Sequence, residues 1–110
     1  MSRLASGLWV QAYLRRLYLE HIPAYVAERG DDNAGAVIVK TATLDGKAIA
    51  KQRSFDPMTG TRVWMVLTEG PEAEVDAALA KQKTRDRDLW ILEVESRDGR
   101  DLLDQEGLSE

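Results

Sequence analysis

A chain of 110 residues, 44% apolar and 31% charged, suits one domain that buries roughly two thirds of its unfolded surface, and it lies far from the disordered regime. It has no cysteine, which excludes disulfides, thiolate metal sites and cysteine nucleophiles. The net charge of −4 gathers at one end: residues 1–30 hold four basic and two acidic groups, residues 31–85 eight of each, and residues 86–110 three basic and nine acidic, which argues against broad phosphate-backbone binding.

Residues 7–20 place Val10, Tyr13, Leu14, Leu17 and Tyr18 on one helical stripe, with Gln11, Arg15 and Arg16 off it. Leu8-Trp9-Val10 taken alone also reads as a short strand feeding that helix. Pro23 disfavours helical geometry at Ile22, so the helix is expected to end near His21, whose charge suits the negative end of the dipole. Residues 24–29 form a strand candidate, and Gly30-Asp31-Asp32-Asn33-Ala34-Gly35 a turn. Residues 36–44 are rich in branched side chains, and Asp45-Gly46 is a two-residue hairpin signal that returns 47–55 antiparallel. A loop over 56–60 leads to a further strand at 61–68.

Gly70-Pro71 opens a second helix, acidic at its start (Glu72, Glu74, Asp76), basic at its end (Lys81, Lys83, Arg85), with a thin apolar stripe of Val75, Ala78 and Leu79. Residues 89–95 read as a strand well buried at its start; Asp98-Gly99 is a turn, 100–105 a helix or a strand, and 107–110 are expected to fray. The sum is a single α+β domain over 1–110: an N-terminal helix, an antiparallel meander of about four short strands, a second helix, a further strand and a short terminal element, stacked as a two-layer sandwich. No stretch approaches the roughly 20 apolar residues of a membrane span, nor does the start look like a signal peptide, so a cytoplasmic protein without membrane attachment is expected.

The hairpin carries the main deduction. A two-residue turn sets Leu44 against Lys47, Ala42 against Ile49, Lys40 against Lys51 and Ile38 against Arg53. Alternation then sorts Ile38, Lys40, Ala42, Ile49, Lys51 and Arg53 onto an outer basic face, and Val37, Val39, Thr41, Ala48, Ala50 and Gln52 onto the core side. Such a basic face can be plain solvated surface, can pair with carboxylates of the acidic end or of a second subunit, or can hold an anion through Lys40, Lys51, Arg53 and Arg62. Trp64 suits either face.

Catalytic signals are sparse. There is no Gly-x-Ser-x-Gly elbow, no phosphate-cradling glycine loop and no dinucleotide fingerprint, so no catalytic residue, metal ligand or cofactor is assigned. Asp31 and Asp32 offer hard oxygens without the spacing of a calcium loop; Glu93 and Glu95 share one strand face, as solvated strands commonly do. Arg15 and Arg16 suit carboxylate partners such as Glu20.

The ordered set Leu8-Trp9-Val10, Arg15-Arg16, Arg29-Gly30-Asp31 leading to Ala34-Gly35-Ala36, Leu44-Asp45-Gly46, Arg62-Val63-Trp64, Asp88-Leu89-Trp90 and Asp98-Gly99-Arg100 resembles a family of short bacterial proteins known only as a domain of unknown function. The resemblance spans nearly the whole chain, implies a bacterial cytoplasmic domain, and transfers no activity or site residue. The leading expectation is a non-catalytic interaction or regulatory module that forms a homodimer or meets an unidentified protein partner. The alternatives are a module binding an anionic ligand or nucleic acid at the basic face, and a metal-dependent hydrolase at Asp31 and Asp32.

Overall fold

In the computed structural model, which describes residues 4–105 and 108, the order is α1 (Ser6–Leu19), β1 (Ala24–Glu28), β2 (Val37–Ala42), β3 (Lys47–Asp56), β4 (Thr61–Pro71), α2 (Glu72–Arg85) and β5 (Trp90–Glu95). Helix α1 takes in Leu8-Trp9-Val10, which resolves the helix-or-strand alternative there. It ends on a backbone device: His21 turns into the left-handed region (φ 60°), its N–H donates to Tyr18 O, and Ile22 N–H donates to Leu17 O. Leu17 and Ile22, which this turn brings together, are both buried in one cluster. His21 therefore stops the helix through its main chain. Helix α2 follows Pro71, with Glu72 and Glu74 in its first turn and Lys83 and Arg85 in its last, as the dipole favours. Lys83 Nζ then donates to the carbonyls of Arg29, Arg87 and Leu89 at 2.7–2.8 Å, tying the end of α2 to its neighbours.

The α+β class and the order of elements are those expected, with two refinements. First, the five strands run β1-β5-β2-β3-β4. Strand β5 lies parallel to β2 and antiparallel to β1, so β1 leaves the expected meander and joins the sheet through the last strand of the chain. A parallel pair requires a crossover, which α2 supplies by carrying the chain from the β4 edge to the centre. The unbroken apolar run Leu89-Trp90-Ile91-Leu92 suits that central place. Second, the helices pack on opposite faces, so the expected two layers gain a third. Trp9, Val10, Tyr13 and Leu17 of α1 meet Val37, Val39, Trp90, Leu92 and Val94. Val75 and Leu79 of α2 meet Ile38, Ala48, Ala50 and Ile91 on the other side. Strand β2 is consequently buried at all six positions.

Residues 100–105 form neither helix nor strand; this segment lies against α1, with Leu102, Leu103 and then Leu108 buried in the larger cluster. Leu108, within the stretch expected to fray, accepts a 2.9 Å hydrogen bond from Trp64 Nε1 at its carbonyl; Gly107, Ser109 and Glu110 lie outside the described residues.

The hairpin register differs by one residue from the expected one, and this correction governs the rest. Ala42 faces Ala48, Thr41 faces Ile49, Lys40 faces Ala50 and Val39 faces Lys51. The loop holds three residues, with Leu44 (φ 61°) and Gly46 (φ 87°) in the left-handed region and Thr43 N–H donating to Lys47 O. Asp45 is the cause: its Oδ1 accepts from the Thr43 hydroxyl at 2.6 Å and from the Lys47 amide at 3.1 Å, a side-chain bridge that competes with the two-residue turn. A slip of one residue turns every β3 side chain to the other face.

Candidate functional site

The slip parts Lys40 from the other three cations of the expected anion site. Lys40 lies on the α2 face with its side chain 4% exposed, and its ammonium reaches Glu72 Oε2 at 2.7 Å, Asp76 Oδ1 at 2.7 Å and Glu93 Oε1 at 3.1 Å. Burial opposes its charge, but the hydrogen bonds to Asp76, Glu72 and Glu93 outweigh burial and hold Lys40 above the ordinary lysine range. An ammonium so held is neither a nucleophile nor an anion receptor. Glu93, its neighbour across β5, also accepts the Tyr25 hydroxyl at 2.8 Å, a bond that raises the tyrosine pKa. Lys51 points to the α1 face, where it pairs with the buried Asp101 at 2.8 Å.

Of the three cations on the α1 face, Arg53 and Arg62 line one cleft. In the β3–β4 register Arg53 faces Trp64, with Arg62 two positions from Trp64 on the same side, toward α1. The Arg53 guanidinium lies 5.5 Å from the ring centre of Trp9 and 5.6 Å from that of Trp64. These rings are themselves 5.4 Å apart, and Trp9 stacks on Tyr13 at 4.9 Å. Trp64 therefore belongs to the α1 face. Burial, then the charge of Asp101, drives the Tyr13 hydroxyl upward, and that hydroxyl donates to Asp101 O at 2.8 Å.

Beside Arg53 and Arg62 opens a cleft of about 550 Å³ between the β3–β4 arm, the start of α1 and the loop 33–36. The loop is held rigidly. Asp31 Oδ2 accepts the amides of Asn33 and Ala34, Ser6 Oγ donates to Gly35 O, and Trp90 Nε1 donates to Asp31 O. A Cβ on Gly35 would stand 2.2 Å from Asp88 O, so only glycine lets the loop lie on the entry to β5. The first amides of α1, at Ser6 and Gly7, donate to Asn33 O and Asp32 O, which spends the helix start on the loop itself. Asp31 and Asp32 are thus turn residues, the latter paired with Arg29 at 2.9 Å, and no group of three metal-ligating side chains occurs among the described residues.

A second feature escaped the sequence reading. Strand β4 is eleven residues long and forms one edge of the sheet, and its middle exposes Met65 (54%), Val66 (51%) and Leu67 (37%). Leu67 is the extra residue where the β3–β4 register slips between Ala50 and Lys51. The available signal was the consecutive apolar trio itself, which breaks strand alternation.

The comparisons agree on one relationship. A family model described as "Protein of unknown function (DUF1491)" matches residues 4–104. A crystal structure of a DUF1491 family protein from Caulobacter crescentus CB15 is 35% identical, with 93% of this chain and 94% of that chain covered and a TM-score of 0.81. An NMR structure of a DUF1491 family protein from Caulobacter crescentus CB15 is likewise 35% identical, with 94% and 96% covered and a TM-score of 0.81. The solution structure of protein Atu0922 from A. tumefaciens is 30% identical over 86% of this chain and 87% of that one, with a TM-score of 0.71. No curated protein matches the chain. None of the names of these relatives carries an activity.

Proposed function

Because the chain belongs to the DUF1491 family of proteins of unknown function, we propose that it acts as a non-catalytic interaction module whose working surface is the β4 edge. The observation that carries this reading is the exposed Met65-Val66-Leu67 trio on an edge strand of eleven residues. Long edge strands with apolar side chains invite pairing, and natural proteins blunt the edges they do not use. The opposite edge is shorter: β1 has five residues, is bracketed by Pro23 and Arg29, and exposes Tyr25 and Val26 over a smaller stretch. Strand addition to β4 supplies main-chain hydrogen bonds, while the trio supplies apolar contact. A homodimer is the simplest form of this reading. The bacterial origin of the relatives and an acidic, highly charged composition favour a role in the bacterial cytoplasm.

A photo-crosslinking amino acid at position 65, expressed in the native host, is expected to capture a protein, whereas the same group at position 25 on the β1 edge captures none. Capture equal at both edges, or at neither, overturns the reading. Light scattering at high micromolar concentration separates the homodimer from other partners: the homodimer predicts a doubled mass that Val66→Lys returns to a monomer, and a monomeric wild type removes that form.

A further inference from the structure

We infer that the C-terminal segment from Arg100 onward is a releasable strap, and that the groove it fills also accepts an extended, acidic, leucine-bearing segment of a partner protein. This groove is separate from the β4 edge and lies between α1 and the β3–β4 pair. What the strap meets defines it. Tyr13 of α1 donates its hydroxyl to Asp101 O at 2.8 Å, and Lys51 of β3 holds the Asp101 carboxylate at 2.8 Å. Arg16 of α1 donates to Gln105 Oε1 at 2.9 Å, and Trp64 of β4 donates to Leu108 O at 2.9 Å. Leu102 and Leu103 are buried in the same cluster as Tyr13 and Leu17. Donors that grip carbonyls, an ammonium that grips one carboxylate and apolar room for two leucines are the parts an extended peptide needs. The charge agrees, since residues 100–110 carry four acidic side chains and one basic.

Three observations mark the strap as a replaceable occupant. No strand ladder joins residues 100–105 to the sheet, and the amides of Leu103 and Gln105 bond within the strap, to Asp101 Oδ1 and Leu102 O. It can therefore peel away as a unit from the exposed turn at Arg97 and Asp98, where Gly99 takes φ 73°. Second, Leu102 is held in the left-handed region (φ 62°), a strain that release removes. Third, the fit is incomplete. Trp9 Nε1 is buried between two residues that each grip a strap carbonyl, stacked on Tyr13 and 5.4 Å from Trp64, yet it finds no acceptor among the described residues. Buried indole N–H groups are normally paired, so a segment presenting one more carbonyl there binds better than the strap does. A hollow of about 360 Å³ beside Lys51 and Asp101 gives an incoming chain its foothold.

Fluorescence anisotropy with a labelled synthetic peptide of residues 99–110 tests the groove on the full chain. Wild type is expected to bind it weakly, because its own strap competes. Leu102→Ala is expected to bind about tenfold tighter, because a loosened strap raises the fraction of open grooves. Adding Lys51→Met to Leu102→Ala is expected to cancel that gain, and a scrambled peptide to bind neither chain. Amide exchange in the wild type decides the matter even where a variant fails to fold. Leu103 is expected to exchange at least about a hundredfold faster than Leu92, although both residues are buried, because the strap opens without the sheet. Equal exchange at the two, equal peptide binding by wild type and Leu102→Ala, a gain that survives Lys51→Met, or binding of the scrambled peptide overturns the proposal. A doubled mass of the wild type that Leu103→Ser abolishes and Val66→Lys leaves intact assigns the groove to a second copy's strap, and so overturns the separate partner. None of these outcomes bears on crosslinking at position 65, so the two readings fail separately.

Discussion

Under α1 the sheet presents large apolar side chains, and the helix answers with Trp9, Val10, Tyr13 and Leu17, closed over by Leu102, Leu103 and Leu108. Under α2 the sheet presents Ile38, Ala48, Ala50 and Ile91, and the helix buries only Val75 and Leu79. Full burial of side chains of that size contributes about 1.5–3 kcal/mol each, which leaves α2 weakly held by apolar contact. A buried ammonium completes the attachment: Lys40 on the central strand draws Glu72 and Asp76 from the first turns of α2 and Glu93 from β5. One sheet thus holds two helices by different physics. Area is non-directional and tolerates sliding, whereas three carboxylates around one Nζ set where along the sheet α2 begins.

The neighbours Leu92 and Ile91 face opposite sides of β5 and give the sharpest test of that contrast. Leu92→Ala is expected to cost about 4 kcal/mol in denaturant unfolding, and Ile91→Ala about 2 kcal/mol, because the thinner layer collapses more easily around the smaller side chain. Equal losses break the comparison.

Lys40→Met is the next largest. It replaces the ammonium with an apolar side chain of similar length and leaves Glu72, Asp76 and Glu93 to repel one another, at a cost of about 2 kcal/mol. Amide exchange is expected to quicken in α2 and stay slow in α1. The raised Lys40 pKa also gives this difference a pH signature. A group whose folded pKa lies above its unfolded value stabilises fully below the unfolded value and loses that contribution as pH climbs through the folded one. The gap between wild type and Lys40→Met is therefore expected to hold steady through neutral pH and to shrink only in alkaline solution, above the ordinary lysine range. A gap that widens there removes the ion cluster from the account.

The smallest effect belongs to Arg100 and Glu20, an ion pair on the surface with both side chains 45% exposed. Arg100→Ala is expected to shift stability by no more than about 0.5 kcal/mol, less in high salt. A larger loss would mean that the charges outside the core matter as much as the buried one.

Much of this was legible in the chain. Helix α2 carries its own ends, since Pro71 and the acidic first turn, then the basic last turn, are local signals. Strand positions followed from branched residues and from glycine-bearing turns, and the Leu89–Leu92 run marked a buried strand. The candidate site was legible only by half. Lys51, Arg53 and Arg62 share one face as expected, whereas Lys40 lies on the other, because the loop holds three residues rather than two. The bridging carboxylate of Asp45 is a preference of about a hydrogen bond or two, too small to read from composition and large enough to turn a strand over.

The amino-acid sequence by itself determined where most helices and strands lie, their order, and the charge each carries, because capping, branching and turn chemistry act over a few residues; residues 100–105, which read as helix or strand, are neither. Only the tertiary structure decided which side of the sheet each residue serves. Strand β5 enters between β1 and β2 from far along the chain, and the partners of Lys40 at positions 72, 76 and 93 meet it only when α2 and β5 close over β2. An ammonium that reads as surface in the chain becomes the centre of a face, because its carboxylates arrive through folding rather than through sequence neighbourhood.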